Sequence, residues 1–388
     1  MAKPKPVPAG KLDQADSFVE HVKARPDALV YFLCNVGDAD AQLVLLPELG
    51  TPAKRQAVIV DVGRSDKIPP LLQSLDTEQL LDLDDATTDP IALVVATHPH
   101  LDHVRGLPEL FALHGDRIAE YWDPGYYHVL AEYHQTMLEV ESRPDLVYAQ
   151  PTSGFRRWIS DVAITVLSPS VQLRNRYDSY GIEINDSSIS LRIEFPVHRY
   201  LEDRQKTEEG ETIQTPPTRA LVLGADAQTT SWSYVLGDFP FLFKSDTPAA
   251  KAIAAAQGNV DLLRGDVLKV SHHGSKHGVN LELVERVGPK VTLVSSVGEE
   301  GQFNFPHTVA QELIREAINP TEGLGDHPLD YLPDMNLFYT ADIDTSNATL
   351  GTIGLVMSVD ACSMWRFGDE PDHVVDFTKA RRWEVDLW

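Results

Sequence analysis

The stretch Ile91-Ala-Leu-Val-Val-Ala96, followed by Thr97-His98-Pro99-His100-Leu101-Asp102-His103, constrains this chain more than any other. Six apolar residues in a row read as a strand buried on both faces, which belongs in a sheet covered on each side. The run ends in three histidines and an aspartate. Such a cluster at the end of a buried strand is costly to desolvate unless it is compensated. Imidazole nitrogens with a carboxylate are the donor set that Zn²⁺ takes, and Mn²⁺ and Fe²⁺ accept similar sets. In a tight loop His98 and His100 can project to one side while Asp102 and His103 point to another, an arrangement that suits two adjacent metals.

Two later strands end in the same way. Ala220-Leu-Val-Leu-Gly-Ala-Asp226 delivers a carboxylate, and Asp266-Val-Leu-Lys-Val-Ser-His272-His273-Gly274-Ser275 delivers a histidine pair. Neighbours on an extended chain point to opposite sides, so only one of His272 and His273 is expected to face a metal squarely. The other is then left to bind an anion or to orient its neighbour through a hydrogen bond.

The 388 residues, 43% of them hydrophobic, are enough for a large globular core. Only Cys34 and Cys362 are present, which excludes a disulfide framework and a cysteine zinc knuckle. Met1 to Gly10 carries basic residues with no apolar region behind them, and no apolar run of about 18 residues follows. The expected protein therefore has no membrane span and is cytoplasmic. A formal charge of −25 repels polyanions at long range and argues against broad nucleic-acid binding.

Strands are expected over Ala28–Cys34, Ala41–Leu46 and Ala57–Gly63, with a Gly/Asp turn (Gly37, Asp40) joining the first two. That turn and the Asp61-x-Gly63 element read first as structural. Lys67–Leu83 has a leucine stripe and reads as a helix, as does Glu109–His114 after Pro108. Tyr126–Ser142 is helical in pattern, and its His128 and His134, six apart, read as surface or packing residues. Ile189–Phe195 alternates as a strand. The charged run to Pro217 reads as an insertion loop, and two strands near Gly351–Val359 and Cys362–Phe367 read as a closing hairpin.

His98-x-His100-x-Asp102-His103 resembles the signature of the metallo-β-lactamase fold superfamily. His272-His273-Gly274-Ser275, the Gly37/Asp40 turn and the Asn- and Ser-rich corner Asn185-Asp186-Ser187-Ser188 are similar to the branch related to the hydrolase domain of competence DNA-uptake channel proteins. The resemblance implies an α/β fold, an αββα sandwich, over residues 28–367. An N-terminal arm (1–27), an insertion near 196–217 and a C-terminal tail (368–388) fall outside its core. It implies metal ligands at His98, His100, Asp102, His103, Asp226 and one of His272 and His273, with His273 favoured, and an Asp226 that bridges two metals. Most relatives carry a further histidine before the bridging aspartate; here Asn185 or Asp186 stands at that place. Ser275 and Asn185 are implied as substrate-binding residues. Asn304-Phe-Pro-His307 resembles the branch's Asn…His-Pro corner with Pro306 displaced, so His307 reads as an acid/base residue or as a helix cap.

The expected activity is hydrolysis by a metal-activated water, with one or two Zn²⁺ (or Mn²⁺) ions and Asp102 accepting or orienting the proton. A phosphodiesterase or nuclease acting on nucleotides or nucleic-acid ends is the first reading. A lactonase or β-lactamase-type acyl hydrolase is the second, and a metal-binding, non-catalytic partner subunit is the reading from a different class. The residues leave the substrate, any protein partner and the oligomeric state open.

Overall fold

The computed structural model describes residues 12–13, 17–48, 54–85, 88–126, 128–174, 184–196, 218–240, 247–248, 261–296, 305–318, 337–383 and 387–388. The apolar runs form two sheets. The first has ten strands in the spatial order Leu12–Asp13, Arg381–Trp383, Cys362–Arg366, Ile353–Met357, Leu29–Leu33, Ala41–Leu45, Ala57–Val62, Ile91–Val95, Glu120–Trp122 and Val147–Ala149. The second has seven, in the order Leu337–Tyr339, Val291–Val294, Val267–Lys269, Arg219–Leu223, Ser190–Phe195, Val162–Ser168 and Arg156–Ile159. Each sheet is parallel at one end, where the chain crosses over through helices, and antiparallel where hairpins join neighbours.

Alternation along the strands sorts the core into three layers. Val30 and Phe32 face the helices Phe18–Lys23, Ile68–Thr77 and Leu107–His114, while Leu29, Tyr31 and Leu33 face the second sheet. Across the gap Val267 lies between the sheets, and Leu268 and Val270 pack outward with residues of the helices Thr229–Asp238, Leu281–Val287 and Thr308–Ile318. Helices outside two facing sheets make an αββα sandwich. It accounts for strands that are apolar on both sides, because neither face of the central strands meets water.

Several elements are shorter than the patterns alone suggest. The stretch 126–142 is helical only over Ala131–Glu141, which leaves His128 in a loop. The first helix covers Phe18–Lys23, where the Ser17 hydroxyl accepts from Glu20 N–H. The tail beyond 367 returns to the first sheet: Arg381–Trp383 pairs with Cys362–Arg366, and Lys67 Nζ meets Asp369 Oδ2 at 2.7 Å in a fully enclosed pair. Both cysteines are free and buried, and burial pushes the Cys34 thiol up to about 12. The expected insertion, 197–217, lies outside the described residues. No helix among the described residues is long and apolar enough to cross a membrane.

The fold brings three carboxyl-terminal strand ends to one edge. Ile91–Val95, Arg219–Leu223 and Val267–Lys269 each stop there, and each is followed by the polar cluster read from the sequence. In α/β sheets the crevice outside the carboxyl ends of parallel strands is where ligands bind.

Candidate metal centre

His98 and His100 flank Pro99, and the short helix Leu101–Val104 begins directly after them, so Asp102 and His103 occupy its first turn. Gly106 ends the segment against the preceding strand, its N–H donating to Val62 O at 2.7 Å. His98 Nε2 lies 3.0 Å from His100 Nδ1, and the His98 and His103 rings are 4.1 Å apart.

Asp226 stands between these groups and the histidine pair. Its Oδ2 is 3.8 Å from His98 Nε2 and 3.8 Å from His272 Nε2. Its Oδ1 is 3.4 Å from His103 Nε2 and 4.0 Å from His273 Nε2. Asp102 Oδ2 completes the second group, at 3.8 Å from His103 Nε2 and 4.0 Å from His273 Nε2. Ala225, with φ of +47°, puts a left-handed residue directly before Asp226.

The expectation that only one of His272 and His273 can face the cluster is corrected by the backbone. It assumed an extended chain. Both residues are instead left-handed, with φ of +49° and +53°, in a turn that His272 N–H pins to Ala225 O at 2.8 Å. Each ring therefore presents Nε2 to a different oxygen of Asp226. Conformations of this kind are held only where the surroundings enforce them, and they concentrate at functional sites.

Hydrogen bonds at the opposite ring nitrogens orient the imidazoles. Asp61, itself at φ +60°, accepts from Thr97 N–H (2.8 Å), from Thr97 Oγ1–H (2.8 Å) and from His103 Nδ1–H (2.7 Å). Thr97 Oγ1, having donated to Asp61, can accept from His98 Nδ1 at 3.2 Å. His273 Nδ1 donates to Ser295 O at 2.9 Å. In all three rings Nδ1 is thus held by an outer partner and Nε2 is the nitrogen turned toward the cluster, the arrangement by which outer partners prepare a metal-binding histidine.

The donor set fits a divalent metal. His103 Nε2, His273 Nε2 and Asp226 Oδ1 are buried and make no hydrogen bond among the described residues, although they converge on one place. Asp40, His103, Asp226 and His273 each offer a donor atom within 4.8 Å of the others. Burial, then the neighbouring His103, depresses His98 well below the ordinary histidine range, and burial also lowers His100 and His272, so these rings are neutral. His103 moves the other way: burial opposes its charge, but Asp226, Asp61 and Asp102 outweigh burial and raise it well above the usual value. Burial likewise works against ionised Asp226, and His103 and the other imidazoles hold it well below the carboxylate range.

The remaining sequence candidates are placed as follows. Asn185 Nδ2 is 3.4 Å from His272 Nε2, whereas Asp186 Oδ1 accepts from Ser231 N–H at 3.2 Å and so turns toward the next helix. The Ser275 hydroxyl accepts from His277 N–H at 3.1 Å. His307 starts the helix Thr308–Ile318 with Nδ1 accepting from Val309 N–H at 3.2 Å, the cap geometry, and its own N–H donates to Gly274 O at 2.8 Å. Phe305 stacks on His273, with centroids 5.8 Å apart, and forms an apolar wall. Asn304 lies outside the described residues.

Three participants are not read as site residues in the sequence: Asp61, Asp40 and Lys269. Asp40 and Lys269 form a fully buried, very close ion pair. Burial would raise Asp40, but Lys269, His273 and His103 hold it below its ordinary range. Asp61 and Lys269 are charged residues inside apolar strands, and Asp40 stands in the Gly/Asp turn directly before one. His128, left in its loop, brings its ring to 6.2 Å from that of His100.

An αββα sandwich with strand-end histidines and aspartates at one edge defines a metallo-hydrolase. The family described as the metallo-beta-lactamase superfamily matches residues 53–298, well over half of the chain, and the chain belongs to that superfamily. Over 53 residues it is 34% identical to ComE operon protein 3 of Bacillus subtilis (strain 168), a match covering 14% of this chain and 7% of that protein. The chain therefore spans only a small part of that curated relative's length. Among solved structures it is similar to the metallo-beta-lactamase fold protein YhfI from Bacillus subtilis, at 12% identity, covering 75% of this chain and 92% of that one, with a TM-score of 0.37. It is also similar to the short form of human tRNase Z, at 12% identity, covering 69% and 92%, with a TM-score of 0.34.

Proposed function

We propose that this chain is a metal-dependent phosphodiesterase acting on nucleotide or nucleic-acid-end phosphodiesters, with two metal positions on either side of Asp226. One observation carries the reading: the two oxygens of a single buried carboxylate face two separate sets of histidines. His98, His100, His272 and Asp226 Oδ2 would hold one ion. Asp102, His103, His273 and Asp226 Oδ1 would hold the other. The mixed nitrogen and oxygen donors suit Zn²⁺ and, with less preference, Mn²⁺.

Divalent ions held by these residues would supply a water of lowered pKa and charge stabilisation for an in-line displacement. The chain's own groups do the rest. Asp61, Thr97 and Ser295 keep the Nε2 lone pairs directed inward. Asp102, its side chain 41% exposed at the mouth of the cluster, can take the proton of the attacking water and pass it to solvent. Asn185, beside His272, is placed to donate to a substrate oxygen. The −25 charge favours short or terminal substrates over long polyanions, since each added phosphate adds repulsion.

The test is elemental analysis of protein made without chelator, combined with a panel of phosphodiester, ester, lactone and β-lactam substrates. Between about one and two metal equivalents and turnover concentrated on phosphodiesters are expected. Turnover confined to lactones or β-lactams would select the acyl-hydrolase reading, and full metal occupancy with no turnover on any substrate would select a partner-binding role.

A further inference from the structure

The two sheets share the proposed ligand set: the loop after Ile91–Val95 contributes His98, His100, Asp102 and His103, and the second sheet contributes Asp226, His272 and His273. Donors on separate sheets can serve a common ion only if the sheets keep one spacing, to within about half an ångström. Lys269 and Asp40 sit where that spacing is set. Lys269 occupies a central strand, opposite Leu223 on one side and Leu293 on the other. Like Val267 two residues earlier, it points between the sheets, is fully buried, and ends on Asp40 Oδ2.

Asp40 is bound to the metal loop from beneath. Its N–H donates to Asp102 O at 3.1 Å, and its carbonyl accepts from Gly63 N–H at 2.8 Å. Its free Oδ1, buried and without a hydrogen bond, lies 3.9 Å from His273 Nδ1. A second link runs beside the first: Ser295 Oγ donates to Ala39 O at 2.5 Å, and Ser295 O holds His273 Nδ1. The turn at 39–40 is therefore tied to the second sheet twice and to the metal loop once.

We propose that Lys269 and Asp40 are a positioning pair, a buried ionic tie between the sheets that seats Asp102 and His273 around the second metal position. The inference rests on the two-metal reading given above. On this reading Asp40 acts through its neighbours and not as a ligand: Lys269 takes its Oδ2, and its Oδ1 approaches the outer edge of the His273 ring. The His273 nitrogen closest to it is Nδ1, which Ser295 holds, while Nε2 faces Asp102 and Asp226. Removing one member leaves the other charge buried and alone, which is costly, whereas removing both leaves none. A tie of this kind thus predicts strong coupling between the two substitutions.

The experiment is titration of Zn²⁺ into metal-free wild type, Asp40→Asn, Lys269→Met and the double variant. A competing chromophoric chelator reports affinity, and the visible spectrum after Co²⁺ loading reports ligand geometry. Both single variants are expected to keep the first equivalent and to bind the second at least tenfold more weakly, with an altered Co²⁺ spectrum. The double variant is expected to bind the second equivalent more tightly than either single variant but still more weakly than wild type, because the lone buried charge is gone and so is the tie. Single variants that bind both equivalents like wild type would overturn the proposal and leave the two-metal reading standing. So would loss of the second equivalent in Asp40→Asn and in the double variant but not in Lys269→Met, which would make Asp40 a ligand. A single variant that does not fold is decided by the double variant, whose failure to recover metal binding also overturns the tie. Wild type that takes up no metal overturns both readings.

Discussion

His272 and His273 are adjacent in the chain and still address opposite oxygens of Asp226, because two successive left-handed residues turn the backbone between them. Each should therefore hold a different ion. His272→Ala and His273→Ala are each expected to lose about one metal equivalent of two while staying folded, since the turn lies outside the apolar layers. Elemental analysis after gel filtration checks this; a His272→Ala protein that retained both equivalents would place that ring outside the ligand set. Asp61 is a different kind of residue, touching only the outer nitrogen of His103 and the Thr97 backbone and hydroxyl. Asp61→Asn is expected to weaken metal binding by about 10- to 100-fold, as loss of an orienting carboxylate typically does. Unchanged affinity in a competition titration would deny it that role.

At the scale of elements, the metal loop is pressed against the end of the strand Ala57–Val62. A Cβ built on Gly63 would lie 2.2 Å from Asp102 O and 2.8 Å from Asp40 O, and backbone atoms cannot rotate away. Gly63→Ala should therefore push the loop off the Asp40 turn, costing roughly 1–3 kcal/mol of stability and the second metal together. A variant that melts like wild type and binds two ions would contradict it. The neighbouring strand Glu120–Trp122 ends in Asp123, which burial raises to about 6 despite hydrogen bonds from Gly125 N–H and Tyr148 O–H. Between pH near 4 and about 6 the folded state then holds a proton that the unfolded state has released, so this group makes stability fall as pH rises through that window. Asp123→Asn should remove that slope, on the order of 3 kcal/mol across it, and chemical denaturation at pH 4 and pH 7 would show whether it does.

For the whole molecule, ligands divided between two sheets make metal binding a clamp on the sandwich. Ions that bind only the folded state add stability by mass action, about 2.7 kcal/mol at one hundred times the dissociation constant. Chelation is accordingly expected to lower the melting temperature, and Zn²⁺ in excess of the chelator to restore it. A melting temperature indifferent to chelator would mean that the cluster holds no tight ion. The −25 charge bears on the same scale: long duplex DNA should bind weakly and with steep salt dependence, because each phosphate contact needs a cation. Nanomolar binding indifferent to salt, in a filter or polarisation assay, would contradict this.

The sequence by itself determined the sandwich and the three strand ends. The apolar runs at 91–96 and 220–223 and the Val267-Leu-Lys-Val270 stretch read as strands, and the histidines and aspartates that follow them stand out from a core. Those are local facts, set by a residue and its immediate neighbours. The tertiary structure decided what depends on contacts across 40 to 230 positions of chain, such as Asp61 with His103 and Asp40 with Lys269. It also decided where the rings of His272 and His273 point, since a period-two rule holds only for extended backbone and His272 N–H ties their turn to Ala225 O. His128 shows the same limit: its helical pattern is real, but the helix starts at Ala131, and the loop before it carries the ring to His100. Pattern reports which side chains want burial or water; partners distant in the chain decide which nitrogen keeps its lone pair and where it points.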